Sequence, residues 1–278
     1  MAARPARGPG GKLPLHSVMQ LIYIARMRIL TLLALVLLTA PAQADMDRAR
    51  QAFASGHWQE AASQAEQAGG AEGYAYAARA LVAQLMLEPD NPDRRALTRD
   101  ALDLAEAAYR ADNESAEARL RLAISLGYQG RYTSTMRALF LRVPQRGRAL
   151  LESVVMEDPG NVWALGTLGA WNLEVARRGG TRGMEMLGAS VEAGTGFYSQ
   201  AIALDPGNPA LRYFLALGLI ALDDPDRTLM AWQQLDIALG LEPRDAFEAG
   251  LLAEAVQLEG LSGDRHAATA WAVAQMTQ

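Results

Sequence analysis

The strongest constraint on this chain is a four-residue turn that occurs twice. Asp158-Pro159-Gly160-Asn161 and Asp205-Pro206-Gly207-Asn208 lie 47 residues apart. The segments before them align as well, Gly147–Asn161 on Gly194–Asn208. Leu150/Phe197, Leu151/Tyr198 and Val155/Ile202 keep apolar positions in register. A unit of this kind carries an apolar face that it cannot bury alone. Stacking neighbouring units buries those faces continuously.

The units read as helical hairpins. Ala49, Ala52 and Phe53 are spaced i, i+3, i+4, as are Ala61, Gln64 and Ala65, and Leu97, Ala101, Leu104, Ala105 and Ala108 continue the pattern. No segment alternates apolar and polar residues long enough for a sheet. Breakers recur at Gly69-Gly70, Pro89-Asp90-Asn91-Pro92, Asp112-Asn113, the two repeated turns and Glu242-Pro243. A Pro just past a helix cannot continue it, and Asn or Asp caps the next. Aromatics are only 6% of the residues while Ala and Leu dominate, which favours helix over sheet. The expected fold is all-α, with about six antiparallel hairpins.

Several hairpins resemble the tetratricopeptide repeat family. Phe53-Ala54-Ser55-Gly56-His57-Trp58-Gln59-Glu60-Ala61 looks like its interhelical turn, with Ala65 and Ala68 continuing the contact stripe. Leu217-Gly218, Ala231, Leu235, Ala238 and Pro243 resemble a nearly complete repeat, and Gly263-Asp264 with Ala268 a final turn and helix. Small residues at these positions let two helices approach closely. The resemblance implies a tetratricopeptide-like α-solenoid over residues 45–278. The 47-residue offset exceeds the family's usual 34 or so by about 13. These extra residues form two insertions, near 131–146 and 177–193, each expected to hold a short helix (Ser134–Leu141 and Gly183–Ser190). Such insertions resemble exported tetratricopeptide-like proteins that work beside solute-uptake systems, and the repeat domain of regulator-of-microtubule-dynamics proteins.

The amino-terminal end reads as an address. Residues 29–39 are apolar and uncharged, Arg26 and Arg28 precede them, and Ala42-Gln43-Ala44 offers small residues at −3 and −1. The run is shorter than the roughly 20 residues of a membrane span. Residues 27–44 are therefore expected to be a signal peptide cleaved after Ala44, with 1–26 an over-extended start and no stable membrane anchor afterwards. The expected compartment is the periplasm. Cysteine is absent, which excludes disulfides, thiolate metal sites and a lipid-bearing Cys.

Charge is uneven. The whole chain carries a formal net charge of −5, which argues against nucleic acid as a partner. Residues 45–118 hold 7 Arg and 14 acids, 119–182 hold 10 Arg and 4 acids, and 183–278 hold 4 Arg and 13 acids. The basic middle coincides with the insertions through Arg131, Arg137, Arg142, Arg146, Arg148, Arg177, Arg178 and Arg182. Arg suits carboxylate and phosphate because its planar fork grips them in bidentate fashion. These residues either form one anion-binding surface or pair internally with nearby acids. Gly179-Gly180-Thr181-Arg182-Gly183 lacks a phosphate-loop pattern and reads as a flexible linker.

Catalytic signals are missing. His57 sits at a turn and His266 at a helix start, without metal-ligand spacing. No G-x-S-x-G elbow occurs. Asp223-Asp224-Pro225-Asp226 is explained by helix capping. Trp163 and Trp171, eight apart on one helix, either pack in the core or line a concave groove. No cofactor, metal or catalytic residue is expected. The leading expectation is a noncatalytic scaffold or adaptor for a protein or peptide of the cell envelope, with an acidic partner suiting the arginine surface. The alternatives are a transport accessory that binds a small carboxylate and a cell-wall-acting enzyme. Oligomeric state stays open.

Overall fold

The repeated turn forms twice with the same hydrogen bonds, and it sets the pattern of the whole chain. Asn161 N–H donates to the Asp158 carbonyl at 3.1 Å, and Asn208 N–H to the Asp205 carbonyl at 3.2 Å. Each Asn side chain then caps the following helix: Asn161 accepts from Ala164 N–H at 3.0 Å, and Asn208 from Ala210 and Leu211 N–H at 3.1 and 3.3 Å. Ser115, Ser190, Asp224 and Asp245 cap other helices in the same way. Capping satisfies amide groups that the helix cannot pair internally.

The computed structural model describes residues 42–277. The expected signal and over-extended start lie outside the described residues, except for the last three positions before the expected cleavage point. Asp45–Gln278 groups as one compact unit. Among the described residues the structure is helical, with no strand. The order is α1 (42–54), α2 (Trp58–Ala68), α3 (Gly70–Leu87), α4 (Arg94–Ala111), α5 (Ala116–Arg131), α6 (Thr135–Phe140), α7 (Val143–Glu157), α8 (Val162–Leu187), α9 (Val191–Leu204), α10 (Pro209–Ala221), α11 (Pro225–Leu239), α12 (Ala246–Glu259) and α13 (Arg265–Thr277). Neighbours pack in sequence order as a solenoid-like row, in the pairs α3/α4, α5/α7, α8/α9, α10/α11 and α12/α13, and the rings of Phe53 on α1 and Trp58 on α2 meet at 5.0 Å.

Both insertions hold a short helix. The first forms α6, capped by Ser134, close to the expected segment. In the second, Gly180 at φ 55° and ψ −157° interrupts the helical geometry of α8, so that a separate short helix follows it and ends at Leu187, with Gly188 in the left-handed region before Ser190. The break falls within the expected Gly179–Gly183 linker but takes one residue rather than five. Glycine, with no Cβ, adopts such an angle at little steric cost.

Small residues sit where helices touch. On α8, Gly169 lies against the ring of Tyr198 from α9, which is 2% exposed. Ala201, Ala231, Ala238 and Ala268 are fully or almost fully buried at the other contacts. The row also meets itself. Helix α12 packs on α3, the Phe53 and Phe247 rings lie 6.2 Å apart, and Gly250 faces the end of Leu87. The first helices of the pairs thus surround a central space.

Candidate functional site

That central space is a cavity of about 390 Å³. Its wall comes from α3, α5, α8, α10 and α12, through apolar side chains such as Val82, Leu126, Leu173, Leu217 and Leu251. The volume falls within the roughly 300–1,000 Å³ of small-molecule sites. Both insertions reach the wall: Ala138 and Leu139 from α6, then Gly183, Met186 and Leu187 from the end of α8.

Arg79, Arg121, Arg131, Glu174, Arg178 and Glu254 interrupt the apolar surface, and Arg79 with Arg121 makes one pole, Glu254 with the phenols of Tyr213 and Tyr128 another. The first is cationic. Arg79 is the only charged residue between Tyr74 and Leu87, in a stretch otherwise made mostly of Ala, Leu and Val. Its guanidinium lies 4.5 Å from the Phe53 ring centroid and 5.5 Å from that of Tyr76. No carboxylate comes within ion-pair distance among the described residues; Glu117 and Asp245 act on it from farther away. Burial pushes its pKa down, and neighbouring Arg121 pushes the same way. An arginine keeps its proton regardless, so the cavity holds a cation that stacks on aromatic faces and has no ion-pair partner of its own among the described residues. Arg121, 7% exposed, donates through Nε to Glu117 at 2.7 Å. Burial tends to raise the Glu117 pKa, but Arg121 and Arg79 outweigh it and hold the carboxyl below its usual range. Two guanidiniums therefore face one carboxylate, which leaves the pole net positive.

The second pole is acidic and phenolic. Tyr213 Oη donates to Glu254 Oε2 at 2.7 Å. Burial raises the pKa of Glu254, opposed only by that hydrogen bond, and no cation pairs with it among the described residues. Tyr213 is raised well above the usual phenol value by burial and then by Glu254. Tyr128 completes this end, buried, with the Arg131 guanidinium 4.0 Å from its ring centroid and hydrogen-bonded to the same side chain, so a cation stands beside the acid here.

The arginines of the basic middle divide into groups. Arg131 and Arg178 line the cavity. Arg177 grips Glu174 with two bonds of 2.8 Å, and Arg178 approaches the same carboxylate at 3.8 Å. Arg146 lies 3.7 Å from Glu106. Arg148 bonds Glu152 at 2.6 Å and the Leu187 carbonyl at 2.7 Å, tying α7 to the end of α8. Arg137, Arg142 and Arg182 are exposed and meet no carboxylate among the described residues. Internal pairing thus accounts for Arg146, Arg148 and Arg177, while Arg137 and Arg142 flank the exposed apolar side chains of Met136, Phe140 and Leu141.

Trp163 and Trp171 are half-buried and both line the cavity. Trp171 Nε1 donates to the Pro144 carbonyl at 3.0 Å, and the Arg148 guanidinium lies 5.3 Å from its ring centroid. The five polar residues with the largest part in the site, Arg79, Arg121, Tyr128, Tyr213 and Glu254, were not among the expected ones. A lone charge in an apolar stretch was the available signal for Arg79, whereas Glu254 is one of three glutamates on α12 and carried no such mark.

His57 occupies the N-cap position of α2 without a capping bond, and Asp224 caps α11. Among the described residues, no group of three His, Asp or Glu could hold a metal ion, and no helix is long and apolar enough to cross a membrane. Compared with known proteins, the chain matches no protein-family model and no curated protein.

Proposed function

We propose that this is a noncatalytic, exported, tetratricopeptide-like protein that holds a small organic acid in its central cavity, as a binding accessory of solute uptake. Arg79 carries this reading: a permanent cation in an apolar wall, beside a second arginine, with no carboxylate of its own. A ligand carboxylate would supply the missing charge and accept from both guanidiniums, while its apolar body covers the aliphatic wall. Charge-assisted hydrogen bonds of this kind contribute about 1.5–3 kcal/mol each. The uncharged run at residues 29–39 and the small residues before Asp45 support export.

Calorimetric titration with octanoate and octanamide tests the reading. Octanoate is expected to bind, octanamide to bind at least 10-fold more weakly, and Arg79→Met to lose octanoate selectively, as expected for one charge-assisted bond. Equal binding of acid and amide would refute it.

A second reading, an adaptor for an acidic protein of the envelope, rests on α6. Phe140 is 85% and Met136 79% exposed, beside Arg137 and Arg142. An apolar centre with a cationic rim fits an acidic, amphipathic partner surface. Phe140→Ser combined with charge reversal at Arg137 and Arg142 should abolish capture of that partner; unchanged capture at low salt would exclude this role.

A further inference from the structure

Helix α6 turns its two sides to different surroundings. Ala138 and Leu139 belong to the cavity wall, while Phe140, Met136 and Leu141 are 85%, 79% and 54% exposed. Large apolar side chains thus stand in water on and beside a helix of only six residues. Packing against something would recover the hydrophobic free energy that this exposure costs.

The charges around them are of one sign. No acidic residue occurs between Glu117 and Glu152, a stretch that holds seven arginines. Arg137 and Arg142 are exposed beside the apolar tips and meet no carboxylate among the described residues. Arg142 also holds φ 54°, a left-handed angle that crowds any residue with a Cβ. Its side chain makes no capping bond there, so nothing within the fold uses the arginine at this strained position. Strain of that kind collects at ligand clamps and other working sites.

Size bears on what covers this face. A stable protein interface buries about 800 Å² on each partner. Side chains of three residues offer on the order of 400 Å². A bilayer asks for less: apolar tips that enter the acyl boundary and cations that meet the headgroups, with no matched shape. No helix among the described residues is long and apolar enough to cross a membrane, so such a contact is peripheral.

We infer that α6 docks this protein on a bilayer that carries anionic phospholipid. Phe140, Met136 and Leu141 enter the acyl boundary, and Arg137 and Arg142 donate to lipid phosphates. The adaptor reading uses the same face for a protein; the small apolar area and the acid-free surroundings favour lipid. The inference goes beyond the cavity reading and stands without it. Where both hold, docking sets the α6 wall of the cavity beside the lipid.

A local probe tests this. The chain has no cysteine, so Met136→Cys carries a single environment-sensitive NBD label while Phe140 and Leu141 stay in place. Leu229→Cys on α11, 69% exposed, is the labelled control. Residues 45–278, one compact unit by themselves, are used so that the apolar run at 29–39 cannot hold the protein on lipid. Vesicles of phosphatidylcholine are compared with vesicles in which about a third of the lipid is phosphatidylglycerol. The label at 136 is expected to brighten and shift to the blue on the anionic vesicles, with an affinity at least ~10-fold above that for phosphatidylcholine, as two arginines near an anionic surface would give. The label at 229 should stay in water. Arg137→Glu with Arg142→Glu should remove the preference for anionic vesicles. If that variant fails to fold, high salt should weaken it in the unaltered protein.

A label at 136 that stays in water on the anionic vesicles would overturn the inference; capture of an acidic protein through Phe140 would then give this face to the adaptor. An equal response to both vesicle types, or an equal response at 229, would overturn it as well. Octanoate binding is independent of all these results, so the cavity reading stands or falls separately.

Discussion

Gly169 is where the packing of the row can be tested most sharply. It lies on α8 beneath the ring of Tyr198, which α9 contributes to the interior. A Cβ placed at Gly169 would lie 2.5 and 2.7 Å from Cδ2 and Cε2 of that ring, and 3.0 Å from the Gly194 carbonyl oxygen. Tyr198 is 2% exposed, so its ring has nowhere to swing. Overpacking of this kind costs about 1–3 kcal/mol, whereas Gly→Ala inside a helix returns about 1 kcal/mol through lower backbone entropy in the unfolded chain. With backbone on one side and a buried ring on the other, the cost should fall near the upper limit. Gly169→Ala is then destabilising by about 2 kcal/mol, which lowers Tm by about 4–8 °C for a domain of this size. Gly196, on the partner helix α9, is the control, because a Cβ there meets nothing within 4 Å. Gly196→Ala should stabilise by about 0.5–1 kcal/mol. Thermal unfolding followed by circular dichroism at 222 nm reads both. If Gly169→Ala raised Tm as Gly196→Ala does, the close approach of α8 and α9 would be wrong.

Two further outcomes follow from the turns and ion pairs. Asn208, 1% exposed, accepts from two amides and donates to Asp205 at 3.0 Å, so Asn208→Ala should cost about 2 kcal/mol in urea unfolding and more than Asn161→Ala. Arg119, 7% exposed, holds both Glu157 oxygens, and that hydrogen bonding keeps the Glu157 pKa below its usual value. A lowered folded-state pKa gives stability above the ordinary carboxylate pKa that is lost as pH falls through the folded value. Melts from pH 7 down to 3 should therefore show a shallower acid loss in Arg119→Met than in the wild-type protein, although the variant is less stable at pH 7.

The hairpins were legible because their signals are local. Asp158 to Asn161 and Asp205 to Asn208 make turns whose hydrogen bonds need only the four residues and the helix beside them. Ser134 likewise marked the start of α6. The break at Gly180 was legible as part of the Gly179–Gly183 run, because glycines weaken a helix on propensity, but not its confinement to a single residue. Meeting of the ends was out of reach for a different reason. It depends on contacts such as Phe53 with Phe247, far apart in the chain, and on small rotations between units that no periodicity encodes. The cavity follows from that meeting, so Arg79 could be seen as a lone charge in an apolar stretch but neither it nor Glu254 as lining a shared space. The arginine-rich middle drew attention by its average charge. An average cannot separate Arg177, paired to Glu174 three residues away, from Arg137, which meets no acid among the described residues.

The central claim is that an organic acid occupies the space between α3, α5, α10 and α12 with its carboxylate on Arg79. Anomalous diffraction from crystals grown with 8-bromooctanoate locates the two ends of such a ligand independently. The account predicts the bromine inside the cavity, against its apolar wall, with carboxylate density within hydrogen-bond distance of the Arg79 and Arg121 guanidiniums. Bromine found only on the outer surface, for instance beside Phe140, with the cavity holding no ligand density, would contradict it.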